Sequence, residues 1–247
     1  MAVAARVADS PTTPGNLTTL KVWDLPVRIT HWVVVLSIVV LSVTGYYIAN
    51  PFVITHGPTG FVMGTMRFVH LAFAFVFTVA VLFRLYWAFA GSHWANWREF
   101  VPIGQRRLRL LRQQGAYYFF LRRTPPPQVG HNPLAGVAYV AIYILFVVQI
   151  LTGLALYSIP MGQGFWQGAF GWMVLIFGAT TLRLVHFLVM FAFIAFTVHH
   201  VYSAVLIDFE ERSGLVSSIV TGNKTLSAQH IAAAVTGDPA GEASIHE

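Results

Sequence analysis

Apolar residues run almost unbroken through four stretches of this chain, at about residues 27–49, 65–90, 133–158 and 181–207, with polar residues gathered between them. Each stretch reaches the ~20 residues that an α-helix needs to cross a bilayer. The pattern predicts an all-α membrane protein, a four-transmembrane-helix bundle over residues 21–222. Residues 1–20, rich in Ala, Ser, Thr and Pro, read as a flexible N-terminus that lacks the apolar core of a cleaved signal peptide. Residues 223–247 read as a disordered tail.

The loops between the stretches differ in charge. The 91–132 loop holds seven arginines (Arg98, Arg106, Arg107, Arg109, Arg112, Arg122 and Arg123), whereas 50–64 and 159–180 hold no Lys or Arg. The positive-inside rule therefore places 91–132, and with it both termini, in the cytoplasm. The 159–180 loop is rich in glycine and aromatic residues, so part of it suits the membrane interface.

Composition agrees with this picture. Of 247 residues 56% are hydrophobic and 10% charged, with a mean hydropathy of +0.66, against ~25% charged in a soluble domain. The pI of about 9.9 is accounted for by the topology signal, and no nucleic-acid partner is called for. Cysteine is absent, which excludes disulfides, thiolate-bound zinc and cysteine-held iron–sulfur clusters. Ten histidines outnumber the nine Asp and Glu, which points to imidazole as the working ligand.

Five of those histidines, His31, His70, His186, His199 and His200, fall inside the apolar stretches, where imidazole is costly unless paired or ligated. His186 and His200 are fourteen residues apart on the fourth helix, which puts them on one face within roughly 40° and ~21 Å apart in height. His199 falls roughly 140° away. By depth, His70 and His186 form an outer pair and His31 and His200 an inner pair, each drawn from two helices. Bis-imidazole ligation of a haem closes both axial positions and suits electron transfer. The same step of fourteen leads from His31 to Gly45 and from His70 to Arg84. Gly45 would let a porphyrin lie against bare backbone, and Gly153 in Leu-Thr-Gly echoes it; close helix packing is the other reading. Arg28, Arg67 and Arg183 each precede a histidine by three residues, on the same helix face. They suit haem propionates, or else snorkel at helix ends. His131 and Asn132, just before Pro133, cap the third helix or offer hydrogen bonds to a quinone head group. His56, His93, His230 and His246 receive no role.

Arg28-Ile-Thr-His31-Trp32 with Leu41-Ser-Val-Thr44-Gly45 resembles the first-helix signature of the b-type cytochrome subunits of membrane-bound nickel–iron hydrogenases. Gly64-Thr-Met-Arg67-Phe-Val-His70, Arg84-Leu-Tyr86-Trp87-Ala88, Val129-Gly130-His131-Asn132-Pro133-Leu134-Ala135, His200-Val201-Tyr202 and Val216-Ser-Ser-Ile-Val220-Thr-Gly222 are similar to that family too. The wider superfamily includes the membrane subunits of formate dehydrogenases and thiosulfate reductases. The resemblance implies two b haems in a bacterial cytoplasmic membrane. It also implies a periplasm-facing [NiFe] hydrogenase as partner, made of a large subunit and an iron–sulfur small subunit. Electrons would pass through the outer and inner haems to membrane quinone, and hydrogen activation would lie in the partner. The chain departs from the family where a basic residue and a tryptophan usually follow the fourth-helix ligand, at Phe187 and Phe191, and where an acidic pair follows the tyrosine, at Leu206-Ile207-Asp208. A formate dehydrogenase or another periplasmic donor fits the same electron path. A histidine-containing transporter is the reading from a different class.

The arginine asymmetry makes a topology prediction. Reporter fusions at residues 57, 110, 165 and 225 should read outside, inside, outside and inside; any other order overturns the pairing of histidines by depth.

Overall fold

The computed structural model describes residues 17–52, 61–92, 95–97, 101, 105–119, 121, 133–211 and 214–227. In chain order the elements are strand β1 (Leu17–Lys21), helices α1 (Leu25–Ala49), α2 (Val62–Ala90), α3 (Gln105–Tyr118) and α4 (Pro133–Ser158), a 3₁₀ turn (Ile159–Met161), α5 (Phe165–Phe177), α6 (Ala179–Glu211), α7 (Leu215–Thr221) and strand β2 (Asn223–Ser227). Four helical segments, Leu25–Ala49, Val62–Ala90, Leu134–Met161 and Ala179–Phe209, are long and apolar enough to cross a membrane. Prolines mark several of their ends. Pro26 and Pro133 sit in first turns, where the missing N–H costs nothing. Pro51 comes two residues after Ala49, the last residue of α1, and bars another turn.

The described residues form two compact units. One comprises Ile29–Tyr86 with Ala141–Tyr202. Its core joins all four long helices: Phe77 and Val81 of α2, Ile142 and Phe146 of α4, and Val189 and Phe193 of α6 are buried, with Val34, Ile38 and Leu41 of α1 packed against them. Phe146 meets Phe77 and Phe193 edge-on at centroid distances of 5.1 and 5.2 Å. Outward faces stay apolar, as at Val43, Val79 and Leu184, which are 63%, 66% and 55% exposed; in a membrane those faces meet lipid.

In the same unit the uncharged 159–180 stretch folds into α5. One side of α5 packs through Met173 against Ala155 of α4 and Leu182 of α6. Trp166 lies 5.4 Å from Tyr157 and 6.1 Å from Phe75. Leu175 and Ile176 face outward, which suits a helix lying in the membrane interface. Gly178 closes α5 with φ +77° and returns its N–H to the Val174 carbonyl. That left-handed backbone favours glycine.

The other unit comprises the described residues of Met1–Arg28, Trp87–Val140 and Ser203–Glu247. Here the structure differs from the sequence reading. The ends expected to be loose contribute β1 and β2, which pair antiparallel from Leu17 opposite Ser227 to Lys21 opposite Asn223. The remaining residues of both ends, 1–16 and 228–247, lie outside the described residues. Hydrogen bonds at the inner end of the ribbon hold the strands in place. The Gly222 carbonyl accepts the N–H groups of Val22 and Trp23 at 2.9 and 3.1 Å, and the Trp23 indole donates to Ser218 Oγ at 2.9 Å. Arg28 donates to the Val220 carbonyl. The arginine-rich loop also contains helix α3, in which Leu111 is half-buried and Gln114 buried while Arg109 and Arg112 face out. That spacing is an amphipathic period.

Asp24 joins the start of α1 to the end of α2 within this unit. Its Oδ2 accepts the Trp87 indole N–H at 3.1 Å and the Ser92 backbone N–H at 3.0 Å. Partial burial raises the carboxyl pKa, but the hydrogen bonds from Ser92 and Trp87 and the charge of Lys21 outweigh it and hold the group below the usual carboxylate range. A depressed carboxylate stabilises the fold above its ordinary pKa of ~3.9, and that contribution fades as pH falls through the lower folded value. Asp24→Ala should therefore speed hydrogen exchange of the Ser92 amide roughly three- to tenfold at pH 7, from the ~0.5–1.5 kcal/mol of a hydrogen bond. The wild-type protein should approach the variant's rate, corrected for intrinsic exchange, only in strong acid.

Candidate haem sites

The four long helices bring the intramembrane histidines together in two pairs. His70 of α2 and His186 of α6 have ring centroids 6.4 Å apart. His31 of α1 and His200 of α6 are also 6.4 Å apart. His199, one residue from His200, is exposed. Among the described residues no group of three or more His, Asp or Glu side chains could hold a metal ion. Each pair offers two imidazoles. Two imidazoles ligating opposite sides of one metal at ~2.0–2.1 Å per bond have centroids ~6 Å apart. Both pairs meet that spacing, so the donor set fits a bis-imidazole haem.

The pairs are supported by different means. In the first, His70 Nδ1 lies 2.9 Å from Thr44 Oγ1 and His186 Nδ1 lies 2.9 Å from Thr152 Oγ1. Both threonines are buried, at 4% exposure each. Gly45 and Gly153, the next residues, leave room for the rings: a Cβ at either would meet the imidazole Cε1 at 3.1 Å. The spacing along the chain suggests a porphyrin near these glycines, and the protein atoms nearest a Cβ there are those of the two imidazoles. Gln149 Nε2 is 3.1 Å from His186 Nε2. In the second pair, Phe196 stacks on His200 at 5.6 Å with an 8° interplanar angle, and Trp32 meets His31 edge-on at 5.3 Å. His31 Nδ1 is buried without a hydrogen-bond partner.

The arginines divide. Arg67 and Arg183 are exposed, three residues before His70 and His186, while Arg84 is buried at 9% exposure. Arg28 donates to the Val220 carbonyl near the end of α7 and keeps a buried, unpartnered Nε. His131 and Asn132 lie outside the described residues. Phe187, at the position where the resembled family carries a basic residue, stacks against Tyr46 at 6.5 Å, and Phe191 meets it edge-on at 5.1 Å. An aromatic pair fills that position.

Thr44, Thr152 and Gln149 do not stand out as site residues from the sequence. A signal is present all the same, because a glutamine three residues before Thr-Gly inside an apolar run is a costly polar group that needs a partner.

Membrane-spanning helices that present two pairs of imidazoles define a multi-pass protein built to hold haem between helices. The family model described as prokaryotic cytochrome b561 matches residues 22–222, and the chain belongs to that family; haem b is therefore its prosthetic group. Relatives agree. A protein of Bradyrhizobium diazoefficiens named "Probable Ni/Fe-hydrogenase B-type cytochrome subunit" is 39% identical over 212 residues, covering 83% of this chain and 86% of the relative. One of the same name from Azotobacter chroococcum is 37% identical over 211 residues, covering 83% and 88%. The "Probable Ni/Fe-hydrogenase 1 B-type cytochrome subunit" of Escherichia coli K12 is 33% identical over 222 residues, covering 85% and 92%.

The pairing can be tested by haem content. His200→Ala should lower the pyridine-haemochrome yield per protein by about half if each pair holds one haem, while His199→Ala leaves it unchanged. The reverse result would overturn the helical phase of α6 on which the pairing rests.

Proposed function

We propose that this chain is the membrane cytochrome b subunit of a [NiFe] hydrogenase. It anchors the enzyme's iron–sulfur small subunit and large subunit on the periplasmic side and passes their electrons through two b haems to membrane quinone. The observation that carries the proposal is the pair of imidazole pairs, both at 6.4 Å, on helices of a family whose relatives bear hydrogenase names. Bound between two imidazoles, haem supplies one-electron transfer with no open coordination position. The chain's own part is placement. His186 and His200 are fourteen residues apart on one helix, so the two levels are ~21 Å apart in height. The Phe77–Phe146–Phe193 cluster keeps water out of the layer between them.

With both termini cytoplasmic, His70 and His186 hold the haem facing the donor and His31 and His200 the one facing the cytoplasm. Arg67 and Arg183 offer guanidinium groups to propionates at the donor side, and Arg84 does so at the other level. His131 and Asn132 would hold the quinone oxygens near the cytoplasmic surface, where protons are available. Such flow moves electrons across the membrane, each worth ~2.3 kcal/mol per 100 mV. Activation of hydrogen belongs to the partner. A formate dehydrogenase donor would use the same path, and the metal content of the purified complex separates the two.

The test is the reduced-minus-oxidised spectrum of the complex purified through this chain. Nickel should co-purify, hydrogen should reduce b-type haem at two per chain, and quinone should reoxidise it. In His131→Ala and Asn132→Ala, reduction by hydrogen should stay fast while reoxidation slows about tenfold or more, the loss typical of a misplaced donor group. Absence of a b-type signal would sink the proposal. Molybdenum or tungsten in place of nickel would change the donor.

A further inference from the structure

The two Thr-Gly steps face two imidazoles in the same way, and the number of protons available fixes what each hydroxyl does. Thr44 Oγ1 is 2.7 Å from the Val40 carbonyl, and Thr152 Oγ1 is 2.8 Å from the Val148 carbonyl. A carbonyl can only accept, so each threonine's single proton points back along its own helix. What remains on Oγ1 are lone pairs. The ring nitrogens 2.9 Å away, His70 Nδ1 and His186 Nδ1, must then be the donors. The Leu41 and Gln149 backbones, one helical turn before the threonines, also hydrogen-bond the two rings. Helix N–H groups are already engaged, so these are carbonyls and again accept. At His186 the count closes from the other side: the Gln149 amide faces Nε2, which, being unprotonated, accepts from it. That lone pair is the one a metal would take in place of the amide proton.

We infer that Thr44 and Thr152 are positioning residues that fix His70 and His186 as Nδ1–H tautomers, leave both Nε2 atoms free to ligate, and lower the reduction potential of the haem held between them. The inference rests on the haem reading above. An axial imidazole whose other N–H is held by an acceptor is a more basic ligand, which favours ferric iron. The His31–His200 pair differs, because His31 Nδ1 is buried with no acceptor. The hydroxyls therefore bias electrons away from the His70–His186 level and towards the His31–His200 level.

The experiment is a spectroelectrochemical titration of the purified full-length protein with Thr44 or Thr152 replaced by Val, Ala or Ser, alongside haem content. Val and Ala remove the hydroxyl, and Ser keeps it. One haem's midpoint should move positive in the Val and Ala variants, by the equivalent of about a tenfold change in its reduction equilibrium, or ~59 mV for one electron. The other haem's midpoint should stay put, and Ser should restore the wild-type value. Where Val or Ala loses the haem instead, retention in Ser alone supports the same role. Unchanged midpoints in Val or Ala, or Ser and Ala variants that behave alike, overturn it. A wild-type protein without a b-type spectrum would instead remove the haem reading itself.

Discussion

An imidazole inside hydrocarbon has two nitrogens to satisfy and no water to do it, and that demand orders the interior of this bundle. Each ring lies beside another histidine across the helices, and its nitrogens need partners that the neighbouring helices must supply. Leaving a polar group without a partner at that depth costs several kcal/mol, so the demand selects helix phase as firmly as apolar packing does. His186, Phe193 and His200 recur at seven-residue intervals on α6, and seven residues bring a helix back to within roughly 20° of the same face. Imidazole, aromatic core and imidazole therefore stack along one stripe. His70 and Phe77 of α2 repeat the same step, and both phenylalanines meet Phe146 edge-on. The polar levels are separated by an aromatic layer that α4 completes.

The two levels meet the same demand by different physics. At His70 and His186 the rings are fixed by hydrogen bonds to backbone-anchored hydroxyls, which are directional and alter the ligand's basicity. At His31 the Trp32 indole meets the ring edge-on, and at His200 the Phe196 ring stacks on the imidazole, contacts that orient an imidazole through its edges and faces. Phe187 and Phe191 extend that preference to the surroundings of the first level, where Phe187 stacks on Tyr46 and meets Phe191 edge-on.

Much of this was legible in the sequence because lipid imposes it. A run of ~20 apolar residues has one stable answer in a bilayer, so the four helices could be placed to within a few residues: α1 begins at Leu25 rather than near residue 27, and α2 at Val62 rather than near 65. The facing of His186 and His200, with His199 turned away, is helical arithmetic. What could not be read is what depends on contacts far apart in the chain. Leu17 pairs with Ser227, two segments with no apolar alternation to announce a strand. Helix α3 is short and arginine-rich, and charge obscured its weak apolar period. Thr44 and Thr152 were visible only as neighbours of Gly45 and Gly153, because a threonine in a membrane helix ordinarily bonds its own backbone and needs nothing more.

That back-bonding is what makes threonine effective here. A hydroxyl free to rotate could donate to a ring nitrogen or accept from it, and so would tolerate either tautomer. Once the proton is given to the i−4 carbonyl, the oxygen offers only lone pairs, and a bare Nδ1 facing it would be repelled. Glycine at the next position removes the Cβ that would crowd the imidazole Cε1, so the dipeptide sets both the protonation and the seat of the ring. This explains the division of work among the helices. Helix α6 places an imidazole at both levels, α2 at one, and α1 at the other through His31 while meeting His70 through Thr44. Helix α4 carries no histidine in its span, yet Thr152 and Gly153 put two successive constraints on His186. A helix without a ligand is thereby bound to the geometry of the site as tightly as those that bear one.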